Sequence, residues 1–231
     1  MGRSRLGLWI LTAVTAVIML IAAWLALVGA PAAAGLTPDE TYAQRIIYFH
    51  VPCAWVSMLA FFVTMIGSVG YLITGKRKWD NLALSSAELG IVFTAAATAS
   101  GSIWAKPAWN VWWTWDPRLT TYTVLFLLYV GYFMLRSAMD DPARRARFAA
   151  VFGIFAFLSV PITFMSIRWW RTVHPVLFSS DKFGLSAGMR PAFFFGLIAF
   201  TLLYSTLLAH RVRLEGIREQ VDALKEDLAY S

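Results

Sequence analysis

The sequence predicts an all-α, polytopic membrane protein with six transmembrane helices, both termini cytoplasmic, and a tryptophan-rich outer (periplasmic) loop. Three observations predict it. Of 231 residues, 59% are hydrophobic and only 14% are charged, against roughly 25% charged in an ordinary soluble domain. That balance excludes a disordered chain, a collagen-like chain and a conventional soluble enzyme. Next, six stretches meet or approach the length of about 20 apolar residues that a membrane helix needs. Last, Lys and Arg are unevenly shared between alternate connecting segments, as orientation in a bilayer requires.

The spans run Leu6–Val28, Val51–Thr74, Leu82–Ile103, Leu119–Leu135, Phe148–Ile167 and Pro191–Ala209. The first follows Arg3 and Arg5 as a signal peptide would. Its apolar run is too long for a signal sequence, and Ala30-Pro31-Ala32 makes a poor cleavage site, so it is read as retained. The third carries Glu88 and the small residues Ala95, Ala96, Ala97, Ala99 and Gly101. The alanines and glycine suit close helix packing, while the carboxylate either serves function or snorkels to the nearby interface. The fourth span is the shortest.

With the N-terminus inside, the inner segments hold thirteen cations: Arg3, Arg5, Lys76, Arg77, Lys78, Arg136, Arg144, Arg145, Arg147, Arg211, Arg213, Arg218 and Lys225. The outer segments hold seven: Arg45, Lys106, Arg118, Arg168, Arg171, Lys182 and Arg190. The net charge of +7 therefore reflects membrane topology, and lipid rather than nucleic acid is its partner. Residues 1–209 form the membrane domain, with an outer-face site drawn from segments 30–50, 104–118 and 168–190. Residues 210–231 form a cytoplasmic amphipathic helix, in which Leu214, Ile217, Val221, Leu224 and Leu228 repeat at heptad spacing.

Lys106, Arg118, Arg168, Arg171 and Arg190 lie in the loops after the third and fifth spans, where topology alone would place few cations. An anionic ligand accounts for them, because guanidinium pairs with carboxylate in a planar fork. Eight of the eleven tryptophans share that face: Trp55, Trp104, Trp109, Trp112, Trp113, Trp115, Trp169 and Trp170. One or two rings anchor a loop at an interface. Five within Trp104–Trp115 instead make an apolar platform for a large planar ligand. If this loop is helical, Trp109, Trp112 and Trp113 share one face.

His50 and His174 also fall on the outer face, whereas His210 lies inside. Two imidazoles can share a metal only if their nitrogens come within about 4 Å of one another. Opposite membrane faces are about 30 Å apart, so the topology permits a bis-histidine haem. Such a ligand accounts for the histidines, the indoles and the arginines together. Zinc is the weaker alternative, with no third or fourth ligand at a typical spacing. The single Cys53 excludes an internal disulfide and a cysteine-based metal cluster, and without a C-x-x-C-H sequence haem would be held non-covalently, as a b-type group. No histidine is expected within a span.

The stretch ending Trp115-Asp116-Pro117-Arg118-Leu119-Thr120 resembles the WWD signature of haem-handling proteins. Together with Tyr48, His50-Val51-Pro52 and Ala54-Trp55, and with Trp169-Trp170-Arg171-Thr172 and His174, it resembles the CcmC (haem exporter protein C) family of the cytochrome c maturation system. The resemblance covers most of the chain. It implies His50 and His174 as axial haem ligands. It implies a platform of Trp104, Trp109, Trp112, Trp113, Trp115, Asp116 and Arg118 that presents haem to a CcmE-type chaperone. Trp55, Trp169, Trp170, Arg168, Arg171 and Arg190 are candidate propionate or support contacts. CcmA-, CcmB- and CcmD-type subunits of an ABC-type complex are the implied partners, the bacterial inner membrane is the implied location, and delivery of haem rather than enzymatic turnover is the implied role. Ala105 and Asn110 stand where the family pattern has glycine, and Pro175 where glutamine is expected; Asn110 can still adopt a positive-φ turn. Two other functions compete: a permease for haem or another solute, which calls for polar residues along several spans, and a structural subunit of a respiratory complex.

Overall fold

A computed structural model describes residues 3–33, 38–177 and 184–230. Every regular element among them is helical. Helix α1 covers Arg3–Trp24 and continues as a π turn over Leu25–Gly29. There follow α2 (Pro38–Gln44), α3 (Ile47–Thr74), α4 (Arg77–Trp109), α5 (Pro117–Ser137), α6 (Pro142–Phe157), α7 (Ser159–Trp169) and α8 (Arg190–Tyr230). Six segments are long and apolar enough to cross a membrane, with α6 and α7 together forming the fifth. The chain is a multi-pass membrane protein.

Local chemistry sets the ends. Gly75 closes α3 at φ 65°, its N–H donating to the Tyr71 carbonyl, a left-handed cap that costs glycine nothing sterically. Asp116 and Asp141 cap α5 and α6, accepting from the backbone N–H of Leu119 and of Arg144, with Pro117 and Pro142 at the first helical positions. The fifth span breaks between Phe157 and Ser159 because Pro161 has no N–H to offer the Phe157 carbonyl and its ring crowds it.

All helices run past the predicted spans. Hydropathy senses the apolar part of a helix, and the flanking polar turns remain helical beyond it. Two histidines thereby fall inside helices rather than in loops, at positions just beyond the apolar spans. His50 lies in the first turn of α3, and His210 lies in α8 with Nε2 2.8 Å from Thr12 Oγ1. Residue 210 also marks no break: α8 is one helix from the bundle to Tyr230, with the heptad residues exposed along it.

Helices α3 and α4 approach closely along small residues; a Cβ at Gly67 would sit 2.9 Å from the Ala83 backbone nitrogen. Phe61 of α3 stacks on Tyr129 of α5 with ring centres 3.5 Å apart, inside a core that includes Ala87, Leu125, Tyr132 and Ala149. At the end of the bundle formed by the C-termini of α1 and α4 and the N-termini of α3 and α5, Ile47, Tyr48 and Phe193 pack with Leu185 and Met189. Glu88 bonds Arg211 at 2.6 Å, and Arg211 also bonds Glu215. The carboxylate thus ties α4 to α8. Lys182 lies outside the described residues, as do parts of segments 30–50 and 168–190.

Candidate ligand chamber

Between α3, α4, α5, α7 and α8 the bundle opens a chamber of about 760 Å³, within the size range of cofactor sites. Its wall is mostly apolar and runs along α8 from Phe193 to Ser205, about 18 Å at the helical rise. Both predicted ligand histidines enter it. Their ring centres are 6.3 Å apart with 37° between the planes. With metal–nitrogen bonds of about 2 Å and about 1 Å from each nitrogen to its ring centre, opposed imidazoles on one metal have centres about 6 Å apart.

The hydrogen bonds of the two rings settle their tautomers. His50 Nδ1 lies 2.9 Å from the Ala97 carbonyl and 3.3 Å from Ser100 Oγ. His174 Nδ1 lies 3.2 Å from the Pro175 carbonyl. A carbonyl only accepts, so each Nδ1 carries the proton and each Nε2 keeps its lone pair. A bond from the far ring nitrogen to a carbonyl orients a metal-ligating histidine and raises its basicity. His174 is half-buried, and burial pushes its pKa down to about 4; Arg118 and His50 add to the effect, while the Pro175 carbonyl and Asp116 oppose it. At pH 7 the ring is neutral.

His50 is seated on α4. A Cβ at Gly101 would come within 2.9 Å of its Cε1 and 3.3 Å of its Nδ1. Ala97, Ser100 and Gly101 are therefore site residues that sequence reasoning missed. The signal was present as the small-residue run, but helix packing accounted for it completely. Gly101→Ala should displace the ring and weaken haemin binding by about 10- to 100-fold, the range for lost ligand orientation, without loss of folded protein. A haemin titration of the purified variant followed at the Soret band checks this.

The remaining predicted residues divide. Trp104, Trp109, Trp113, Trp55, Arg118 and Arg168 line the chamber. Trp112 and Trp115 do not and are 59% and 72% exposed. Helix α4 ends at Trp109 because Asn110 takes φ 59°. Trp112 and Trp113 therefore lie off the helix, and the expected common face with Trp109 does not form. Asn110 adopts the positive φ expected of it, and Ala105 is buried. The indoles meet edge to face, Trp104 with Trp109 at 5.1 Å and Trp113 with Trp115 at 5.7 Å. They make a wall rather than the flat platform expected. Trp113 Nε1 is buried with no hydrogen-bond partner among the described residues, an unmet donor.

Arg118 is tied to α7 by a bond from Nη1 to the Thr163 carbonyl. Trp169 and Trp170 pair with each other at 5.9 Å on the surface, and Arg190 Nε bonds the Leu185 carbonyl at 3.2 Å. Neither these three nor Arg171 reaches the chamber wall. Asp116 is also absent from it, its carboxylate taken up by the backbone N–H of Leu119 and by Thr172 Oγ1. Among the described residues no three His, Cys, Asp or Glu side chains gather as a metal site. Cys53 is buried and unpaired.

Six helices long and apolar enough to cross a membrane, with an apolar chamber among them that two imidazoles enter, define a multi-pass membrane protein with an internal ligand-sized site. The profile of the CcmC family, described as heme exporter protein C, matches residues 3–227; the chain belongs to this family. It is 39% identical to heme exporter protein C of Bradyrhizobium diazoefficiens over 198 residues, covering 82% of this chain and 74% of the relative. It is 36% identical to that of Escherichia coli over 170 residues, 73% and 69% of the two chains. With that of Paracoccus denitrificans it shares 31% over 196 residues, 82% and 81%.

Proposed function

We propose that this protein binds haem as cargo at the periplasmic face of the bacterial inner membrane and presents it to a CcmE-type chaperone for cytochrome c maturation. Its proposed partners are CcmA-, CcmB- and CcmD-type subunits. The excess of cations at the end opposite the chamber supports this orientation. The observation that carries the reading is the His50–His174 pair, spaced at 6.3 Å with both Nε2 lone pairs available.

The donor set fits the group. His50 and His174 would hold the iron, and Trp104, Trp109 and Trp113 would cover the macrocycle. Arg118, Arg168 and the unmet Trp113 N–H would take the propionates. Bound this way haem stays non-covalent, and the chain makes and breaks no covalent bond. It holds, orients and shields the cargo until an acceptor takes it, so the reading is delivery rather than enzymatic turnover. Along α4 the carboxylates Glu88 and Asp80 are paired with Arg211 and Arg136, an arrangement that favours holding over conduction.

The test is the visible spectrum of the full-length protein purified with haemin. Low-spin, six-coordinate bands support the reading; no Soret band under haem-replete conditions overturns it and favours a purely structural subunit. The depressed His174 pKa adds a pH signature. An imidazole with the ordinary value near 6.5 loses about tenfold in available lone pair by pH 5.5. One pushed to about 4 loses almost none. Haemin affinity should stay flat from pH 8 to 5.5, and a midpoint near 6.5 would show a solvated ring.

A further inference from the structure

The two histidines are held by different means. His50 is part of a helix, and α4 fixes its ring from below through Ala97, Ser100 and Gly101. His174 lies in the non-helical segment after α7. Its own Nδ1 contact goes only to the next residue, Pro175, which moves with it. Among the described residues, the side-chain hydrogen bonds that tie this segment to the bundle beside the histidine form one relay, with Leu177 packed against the core beyond it. The His174 backbone N–H donates to Thr172 Oγ1 at 3.1 Å. The Thr172 hydroxyl donates to Asp116 Oδ2. Asp116 Oδ1 accepts from the Leu119 N–H at 3.1 Å and so anchors the relay on the first turn of α5.

We infer that Asp116 and Thr172 are positioning residues for His174, and that His174 is the axial ligand released when the cargo leaves. The inference rests on the haem reading and adds which ligand yields and what holds it. Each carboxylate oxygen has a separate task, which a hydrophobic or singly accepting side chain cannot reproduce. Asp116 therefore acts through its own geometry, one step away from the ligand, and not as part of the indole wall. The hydroxyl of Thr172 is equally specific, because it accepts from one backbone group and donates to the carboxylate in the same geometry. Breaking the relay frees a short segment around His174 and leaves His50 seated.

The experiment uses the full-length protein loaded with haemin in detergent. Thr172→Val keeps the side-chain volume and removes the hydroxyl. It should convert the low-spin six-coordinate spectrum to a high-spin one, speed haem loss to apomyoglobin by about 10- to 100-fold, and regain low-spin bands on adding imidazole. Thr172→Ser should behave as wild type. Asp116→Asn, with one acceptor oxygen for two donors, should share the Thr172→Val spectrum. A Thr172→Val protein with wild-type spectrum and release rate overturns the relay. So does one that binds no haemin even with imidazole while His174→Ala still does, since the chamber would then have been lost. If wild type itself shows no low-spin haem, the haem reading fails; if wild type and His174→Ala differ while Thr172→Val does not, only the relay fails.

Discussion

His50→Ala purified with haemin is expected to lose the low-spin spectrum and to retain little haem, and to do so more completely than His174→Ala. Both substitutions remove one axial nitrogen. The difference comes from what remains. In His174→Ala the surviving ligand is His50, which keeps its Ala97 and Ser100 partners at 2.9 and 3.3 Å and its seat against Gly101. In His50→Ala the surviving ligand stands on a segment that is itself held by a side-chain relay. Exogenous imidazole should therefore restore a six-coordinate spectrum readily in His174→Ala and poorly in His50→Ala. Equal and normal haem content in both variants would remove the axial-ligand assignment. Neither change disturbs the helical core, so expression should match wild type.

Asp80→Ala is expected to cost about 3–5 kcal/mol of stability, the range for stripping one partner from a buried ion pair. The Asp80 and Arg136 side chains are 4% and 9% exposed and meet in a fork, Nη1 to Oδ1 at 2.6 Å and Nη2 to Oδ2 at 3.1 Å. The guanidinium also lies over the Tyr132 ring, 5.7 Å from its centre. Alanine would leave that cation buried with only the ring and the Tyr132 hydroxyl at 3.4 Å. Denaturant unfolding of the detergent-solubilised protein measures the loss. The double variant Asp80→Leu/Arg136→Leu should recover much of it, because removing both charges removes the desolvation cost with them. Glu88→Gln is the control: its pair with Arg211 is about one-third exposed, and its cost should stay under about 1 kcal/mol. A similar loss for Glu88→Gln and Asp80→Ala would contradict this account.

The fold was legible because its determinants are long-range sums. Six apolar runs and a charge asymmetry survive any local detail. The ends of the helices were not, because polar turns at either end carry no hydropathy signal; His50 accordingly read as a loop residue and is helical. The site was legible where side chains carry the chemistry. His50, His174, Trp104, Trp109, Trp113 and Arg118 all reach the chamber. It was illegible where backbone carries it. The Ala97 and Pro175 carbonyls fix both tautomers, and nothing in the identity of an alanine or a proline announces that. Which indoles face inward depended on one dihedral angle, that of Asn110. The Asp80–Arg136 fork was hidden for another reason: its members lie 56 residues apart, and each alone resembles an ordinary boundary charge.

Helix α8 gives the wall of the chamber from Phe193 to Ser205 and, without interruption, the exposed heptad residues from Leu214 to Leu228. After Pro191 it contains no proline, the commonest cause of a sharp kink. At about 1.5 Å per residue, its 41 residues make a shaft about 60 Å long. One continuous helix thus joins an exposed apolar stripe at one end to a wall of the chamber at the other, with the Arg211–Glu88 pair between them.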